Sequence, residues 1–310
     1  MTTPDAAATT TTETSDDRRP CALVTNDDGV EGHGLALLVV AALEAGMDVV
    51  VAAPSRDRSG ASAAVDAELD GDRLPAAEVA LPWPDLAGPG QPDDPQAWCE
   101  QARRFEGTDR LRVLAVGASP AFCVRAGVRG AFGRVPDVVL SGVNHGMNTG
   151  EAVLHSGTVG AALTGTVFGV RALAASAGVV PEGGLDVAPE TWGAVLDVLR
   201  PALAWVREHE PAGALSVNVP HVEPGGSVRG LRPATLAAAG VASGSAFEAG
   251  EGWVRLSAAT PPEDDQPEDP GSDTVLLAQG WATATLLGSV EQRRGVELDG
   301  LELPVPTGAR

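Results

Sequence analysis

This sequence predicts an α/β protein built on a doubly wound, mostly parallel sheet. Short apolar runs bounded by Gly, Pro or Asp, stretches of helical periodicity, and the alternation of the two over roughly residues 21 to 220 carry that prediction. At 310 residues the chain can enclose a sizeable core as one large domain, or one domain with an appendage.

Residues 1 to 20 are rich in Thr and Asp, lack the basic start and apolar stretch of a secretory signal, and read as a disordered tail. Cys21 to Thr25 is an apolar strand that runs into Asn26-Asp27-Asp28-Gly29, suited to a turn or a helix start. Leu35, Leu38, Val39, Ala42 and Leu43 then recur at helical spacing, with Gly46 where a C-terminal cap belongs. Asp48 to Ala53, closed by Pro54, reads as a strand buried on both faces, which completes a βαβ unit. The stretch near 66–109 is acidic, rich in Pro and Gly and weakly periodic, and is expected to be an irregular excursion.

Regular pattern resumes with a strand at Leu111 to Val116 and a short helix around Ala121 to Gly127. Pro136 to Ser141 is another buried strand, ending in Gly142-Val143-Asn144 and a Gly- and Asn-rich loop. Ser156-Gly157-Thr158 opens a helix with an apolar stripe at Val159, Ala162, Leu163 and Val167. Arg171 to Ser176 is a strand, Trp192 to Glu208 an amphipathic helix containing Pro201, and Ala214 to Asn218 a further strand. Beyond His221, Val275 to Leu277 and Trp281 to Leu287 are expected to pair as strands of an accessory β region, with an acidic loop at Pro261 to Pro270. On sheets of this kind, ligands bind beyond the carboxyl ends of the strands.

Composition narrows the function. A formal charge of −21 disfavours nonspecific attraction to a nucleic-acid duplex or an anionic membrane. All 21 basic residues are Arg, so a Walker A lysine, a Schiff-base lysine and a Ser-Lys dyad are excluded. Cys21, Cys99 and Cys123 form no CxxC pair and no Cys/His cluster, which argues against a disulfide framework or structural zinc and fits a reducing cytoplasm. No apolar run is long enough to span a bilayer, so a soluble protein is expected.

Adjacent carboxylates at a strand's carboxyl end, Asp27 and Asp28, suit a hard divalent cation, although alone they read as a turn and helix cap. Two more strand ends place Ser59 and Asn144 at the same predicted edge, where a hydroxyl and an amide oxygen would complete an all-oxygen set for Mg²⁺ or Mn²⁺. Ser156-Gly157-Thr158 at a helix start offers backbone N–H groups, two hydroxyls and the positive end of a helix dipole, which suit a phosphate; by itself the segment is equally an ordinary cap. His33, His145, His155, His209 and His221 share no ligand spacing, and only His145 and His155 flank the candidate phosphate loop. The run Glu263-Asp264-Asp265 reads as a solvated loop.

Together these segments resemble the SurE (survival protein E) family of phosphatases. Val24-Thr25-Asn26-Asp27-Asp28-Gly29-Val30 is similar to its TNDDG signature, and Ala53-Pro54-Ser55-Arg56-Asp57-Arg58-Ser59-Gly60 to its AP-D-x-x-x-S-G loop, with Ser55 where the family usually has Asp. Pro136-Asp137 through Ser141-Gly142-Val143-Asn144-His145-Gly146-Met147-Asn148 resembles its PD-(apolar)-SG-x-N-x-G-x-N segment, and Ser156 to Val159 its SGTV. Weaker echoes are Pro120 to Val124, Asn218-Val219-Pro220 and Gly271-Ser272-Asp273.

The resemblance implies a Rossmann-like core over 21–220 with the insertion near 66–109, a β-rich C-terminal oligomerisation extension over 221–290, and a tail over 291–310. It implies one divalent metal, Mg or Mn, held by Asp27, Asp28, Ser59 and Asn144, and phosphate contacts from Asn148, Ser156, Gly157 and Thr158. Asp27 and Asp28 would be catalytic. The implied activity is hydrolysis of phosphate monoesters, foremost nucleoside 5′-monophosphates, by in-line attack of a metal-activated water, in a homodimer or homotetramer. A non-catalytic nucleotide- or metal-binding regulator is the alternative on the same fold. A haloacid-dehalogenase-like phosphatase fits less well, because the aspartates are adjacent and the lysine of that family is absent.

Overall fold

The computed structural model describes residues 18–82, 95–181, 186–210, 213–238, 245–258, 269–288 and 290. In chain order the elements are β1 (Cys21–Thr25), α1 (His33–Glu44), β2 (Asp48–Pro54), β3 (Ala76–Glu78), α2 (Pro95–Arg103), β4 (Leu111–Val116), α3 (Pro120–Gly127) and β5 (Val138–His145). A 3₁₀ turn at Gly150–His155 leads into α4 (Gly157–Val167), β6 (Arg171–Ala177), α5 (Pro189–Glu208), β7 (Gly213–Val219), β8 (Leu231–Pro233), β9 (Ser245–Gly250), β10 (Trp253–Ala258), α6 (Asp273–Ala278) and β11 (Ala282–Gly288).

Among the described residues nine strands form one sheet in the order β3-β4-β2-β1-β5-β6-β7-β11-β8. The run from β4 to β7 is parallel; β3 is antiparallel to β4, and β11 is antiparallel to β7 and parallel to β8. From β1 the chain first builds outward through β2 and β4, then returns to the other side of β1 and builds through β5, β6 and β7. The order therefore reverses between β1 and β5, and the crevice beyond their carboxyl ends is where such a sheet holds its ligand. This is the Rossmann-like, mostly parallel arrangement that the alternation of elements predicts.

Side-chain burial follows from that layering. All five residues of β1 are buried. Ala22 and Val24 join the cluster that includes α1 and α5, whereas Leu23 joins the cluster beneath α3 and α4. A strand covered on both faces needs apolar side chains at every position, which is why these strands read as unbroken apolar runs. Helix α1 is buried continuously from Gly34 to Leu43. It is apolar nearly all round because it packs on the sheet and also against α2 and α5.

The C-terminal part departs from the expected pairing of two late strands. Trp281 to Leu287 does coincide with β11, but its partners are β7 and β8 of the main sheet. Val275 to Leu277 lies in helix α6, opened by Ser272, whose Oγ accepts from Val275 N at 3.4 Å. A short apolar run does not distinguish helix from strand by periodicity, and the Ser-Asp cap decides it here. The excursion near 66–109 likewise contains β3 and α2 and so is only partly irregular. Strands β9 and β10 form a separate hairpin. Residues 1–17, 83–94, 259–268 and 291–310, which include most of the expected N-terminal tail, the Glu263-Asp264-Asp265 run and the C-terminal tail, lie outside the described residues. Among the described residues no helix is long and apolar enough to cross a membrane, and Cys21, Cys99 and Cys123 are buried and unbridged.

Candidate active site

The chain leaves β1 through Thr25 and Asn26, both fully buried, and reaches Asp27, which is 4 % exposed. It turns at Gly29, whose φ of +95° suits glycine; a Cβ there would lie 3.1 Å from the Arg56 carbonyl carbon. That close approach joins the loop after β1 to the loop after β2. Two backbone bonds secure it, from Val30 N to Pro54 O at 2.8 Å and from Arg58 N to Asp27 O at 2.7 Å.

Asp27 faces the start of α4. Thr158 Oγ1 donates to Asp27 Oδ1 at 2.5 Å, and a Cβ on Gly157 would sit 2.6 Å from Asp27 Oδ2. Only glycine lets the helix end come this near. Ser156 caps α4, its Oγ accepting from Val159 N at 3.1 Å. Burial raises the Asp27 carboxyl above its ordinary range, opposed by the Thr158 hydroxyl and assisted by the charge of Asp57. Burial also raises Asp28, to about 7, with the charges of Asp27 and then Asp57 adding to it. Two neighbouring carboxylates in a desolvated site resist carrying two negative charges without a cation between them.

Ser59 stands on the β2 loop, exposed to solvent. Its backbone N and its Oγ both donate to Asp57 Oδ1, at 2.7 and 2.6 Å. The neighbouring Arg56 and Arg58 turn away to pair with Glu68, and Arg58 also lies 3.4 Å from Asp66.

Asn144 sits at the end of β5, where the β5–β6 register shifts between Ser141 and Asn144. Its Nδ2 donates to Gly146 O at 2.8 Å, which leaves the amide oxygen to serve as a cation ligand. Gly34 allows α1 to rest on this strand end, because a Cβ there would meet Val143 O at 1.9 Å. Asn148 is pinned to the ends of β6 and β7. Its N donates to Asn218 Oδ1 at 2.8 Å, its Nδ2 to Ser176 Oγ at 2.8 Å, and its O accepts from Asn218 Nδ2 at 2.9 Å. The 3₁₀ turn that follows is tied to the C-terminal region by Asp273, 1 % exposed, whose Oδ2 accepts from Gly150 N at 2.8 Å and whose Oδ1 accepts from Ala237 N at 3.0 Å.

The donor set suits a hard cation. Asp28 Oδ2, both amide atoms of Asn26, Thr25 Oγ1 and Ser141 Oγ are buried without a hydrogen-bond partner among the described residues. Buried polar atoms are normally satisfied, so this concentration marks the crevice as a place for a ligand. No three His, Cys, Asp or Glu side chains cluster as a metal set among the described residues. A cation here would therefore draw on Ser59 and Asn144 oxygens beside the two aspartates, as hard cations accept.

The five histidines are spread over the molecule. His33 opens α1, half-buried, with burial holding its pKa below the ordinary value. His145 lies edge-on to Trp192 with ring centres 5.4 Å apart, and His155 ends the 3₁₀ turn. His209 stacks on Trp205 at 4.6 Å, and His221 lies 3.5 Å from Glu223. Asp57 and Asp273 stand in family-like segments of the sequence, but sequence reasoning gave neither of them a role. Asp57 stands two residues before Ser59, the spacing at which an Asp side chain accepts from its own loop, and Asp273 follows a helix-capping Ser.

A family model described as Survival protein SurE matches residues 22–242. A protein named 5′-nucleotidase SurE from Syntrophotalea carbinolica is 35 % identical over 213 residues, covering 68 % of this chain and 68 % of that protein. Another of the same name from Caldanaerobacter subterraneus subsp. tengcongensis is 33 % identical over 154 residues, covering 50 % of this chain and 49 % of that protein. The chain thus spans between about half and two thirds of the length of these curated relatives. The crystal structure of a SurE protein from Aquifex aeolicus superposes with a TM-score of 0.62 at 22 % identity, covering 87 % of this chain and 93 % of the other, a likeness of fold. With the family model matching well over half of its length, the chain belongs to the SurE family.

Proposed function

We propose that this protein is a divalent-metal-dependent phosphatase that hydrolyses phosphate monoesters, foremost nucleoside 5′-monophosphates. One observation carries the reading: two adjacent, desolvated aspartates stand at the sheet's switch point, Asp27 against the positive start of α4 and Asp28 with its Oδ2 buried and unpartnered among the described residues. The names of the relatives support the substrate class. Asp27, Asp28, Ser59 and Asn144 would hold one Mg²⁺ or Mn²⁺. When bound, such an ion neutralises phosphoryl oxygens and makes a water a better nucleophile near neutral pH.

The chain's own groups divide the remaining work. Thr158 fixes Asp27 Oδ1, so Asp28 is the carboxylate with an oxygen free to orient the attacking water. The water oxygen bonds to phosphorus as the opposite bond to the ester oxygen breaks, one proton of the water ends on the leaving oxygen, and inorganic phosphate and the alcohol are released. Asn148, Ser156, Gly157 and Thr158 border the place where the phosphoryl group would lie, next to the N-terminal end of α4, whose dipole favours its negative charge. The protein acts in the cytoplasm as a homodimer or homotetramer, associating through 221–290; the β9–β10 hairpin there exposes Trp253 and Val254 at 47 % and 66 %.

Release of inorganic phosphate from AMP and from 4-nitrophenyl phosphate, with Mn²⁺ or Mg²⁺ against a chelated control, tests the activity. Turnover that depends on added metal is expected. Equal turnover in verified metal-free buffer, or none on any monoester with metal present, would remove this reading.

A further inference from the structure

We propose that Asp57 is the positioning residue of the metal site, holding the Ser59 hydroxyl with its hydrogen turned inward so that its lone pairs face the ion. The inference rests on the metal-dependent reading above. A hydroxyl binds a cation through an oxygen lone pair, and its hydrogen, made more acidic by the ion, then needs an acceptor. Asp57 Oδ1 is that acceptor at 2.6 Å, and the same oxygen takes the Ser59 N–H at 2.7 Å. One carboxylate oxygen thereby sets both the backbone of the loop and the rotor of the hydroxyl.

The loop cannot drift independently of the aspartates. Arg58 N is bonded to Asp27 O at 2.7 Å, and a Cβ on Gly29 would lie 3.4 Å from Asp57 N. Among the described residues Asp57 has no arginine partner, because Arg56 and Arg58 both pair with Glu68. Ser59 is solvent-exposed, and without Asp57 its hydroxyl would be free to rotate toward water.

Calorimetric titration of the full-length protein with Mn²⁺ tests the idea without relying on turnover. Asp57→Ala should weaken binding by about tenfold to a hundredfold, the usual effect of removing a partner that orients a metal ligand. Asp57→Asn keeps an acceptor oxygen and the turn while removing the charge, so it should recover part of that loss. In an Asp57→Ala/Ser59→Ala protein, binding should be no more than about twofold weaker than in Ser59→Ala alone, because the two residues act through one contact. Wild-type affinity in Asp57→Ala, equal losses in the Asn and Ala variants, or additive losses in the double variant would each overturn the positioning role. A wild-type protein that binds no Mn²⁺ would overturn the metal site itself, a different result from intact wild-type binding that is indifferent to Asp57. Asp57 is exposed, so unfolding temperatures near wild type should accompany every variant.

Discussion

Asp28→Asn is expected to make the metal-free protein more stable at neutral pH while weakening its grip on Mn²⁺. Asp28 has its carboxyl raised from an ordinary 3.8 to about 7, first by burial and then by Asp27 and Asp57. The folded state therefore binds the Asp28 proton more tightly than the unfolded chain does. Between about pH 4 and pH 7 the unfolded state has released that proton while the folded state retains it, so metal-free stability falls as pH rises through this window and levels above it. The full span corresponds to roughly 4 kcal/mol. An Asn amide at the same place leaves a buried polar atom unsatisfied at a cost of about 1–2 kcal/mol, so a net gain of roughly 2–3 kcal/mol is expected at pH 8. For a domain of this size that amounts to about 5 °C in unfolding temperature. Scanning calorimetry in chelator at several pH values from 5 to 8 should show the variant's advantage growing with pH. Saturating Mn²⁺ should reverse the order, since only the folded wild type gains RT ln(1 + [L]/Kd) in full. If Asp28→Asn unfolded at or below the wild-type temperature at pH 8 in chelator, the argument that charge is confined in this crevice would be wrong.

Other perturbations probe different parts of the site. Thr158→Val removes the donor to Asp27 Oδ1; titration should show weaker Mn²⁺ binding, and kcat/KM should fall about tenfold to a hundredfold if roughly 1.5–3 kcal/mol is lost. Gly157→Ala places a methyl within 2.6 Å of Asp27 Oδ2, so α4 or the carboxylate must shift; metal affinity should drop while circular dichroism stays near wild type. Asp273→Leu leaves the N–H groups of Gly150 and Ala237 without their acceptor, which should destabilise the protein by about 2–4 kcal/mol in urea unfolding and raise KM through the loosened 3₁₀ turn. Trp253→Glu with Val254→Glu should shift the mass seen by light scattering toward the monomer; an unchanged mass would exclude the β9–β10 hairpin from the association surface.

What the sequence determined by itself was the alternation of elements in the parallel core and the identity of its strand ends. Buried parallel strands must be apolar at every position, and helix starts need Ser, Thr or Asp caps, so β1, β2, β5 and α4 were legible, with Asp27 and Asp28 placed just beyond β1 and Ser156 at the start of α4. Local signals fail where neighbours in space decide the outcome. Val275 to Leu277 is apolar enough for either state and became helix through the Ser272 cap, while β11 found its partners in β7 and β8. Thr158 reads as a phosphate contact from its motif, yet its hydroxyl goes to Asp27, 131 residues away in sequence. The approach of Gly29 to the loop that carries Asp57 and the span of Asp273 from Gly150 to Ala237 are likewise long-range facts. A sequence states which groups are present and how each prefers its own backbone; which charge sits in which desolvated crevice, and hence which carboxyl titrates near neutrality, is set only when distant loops converge on the switch point of the sheet.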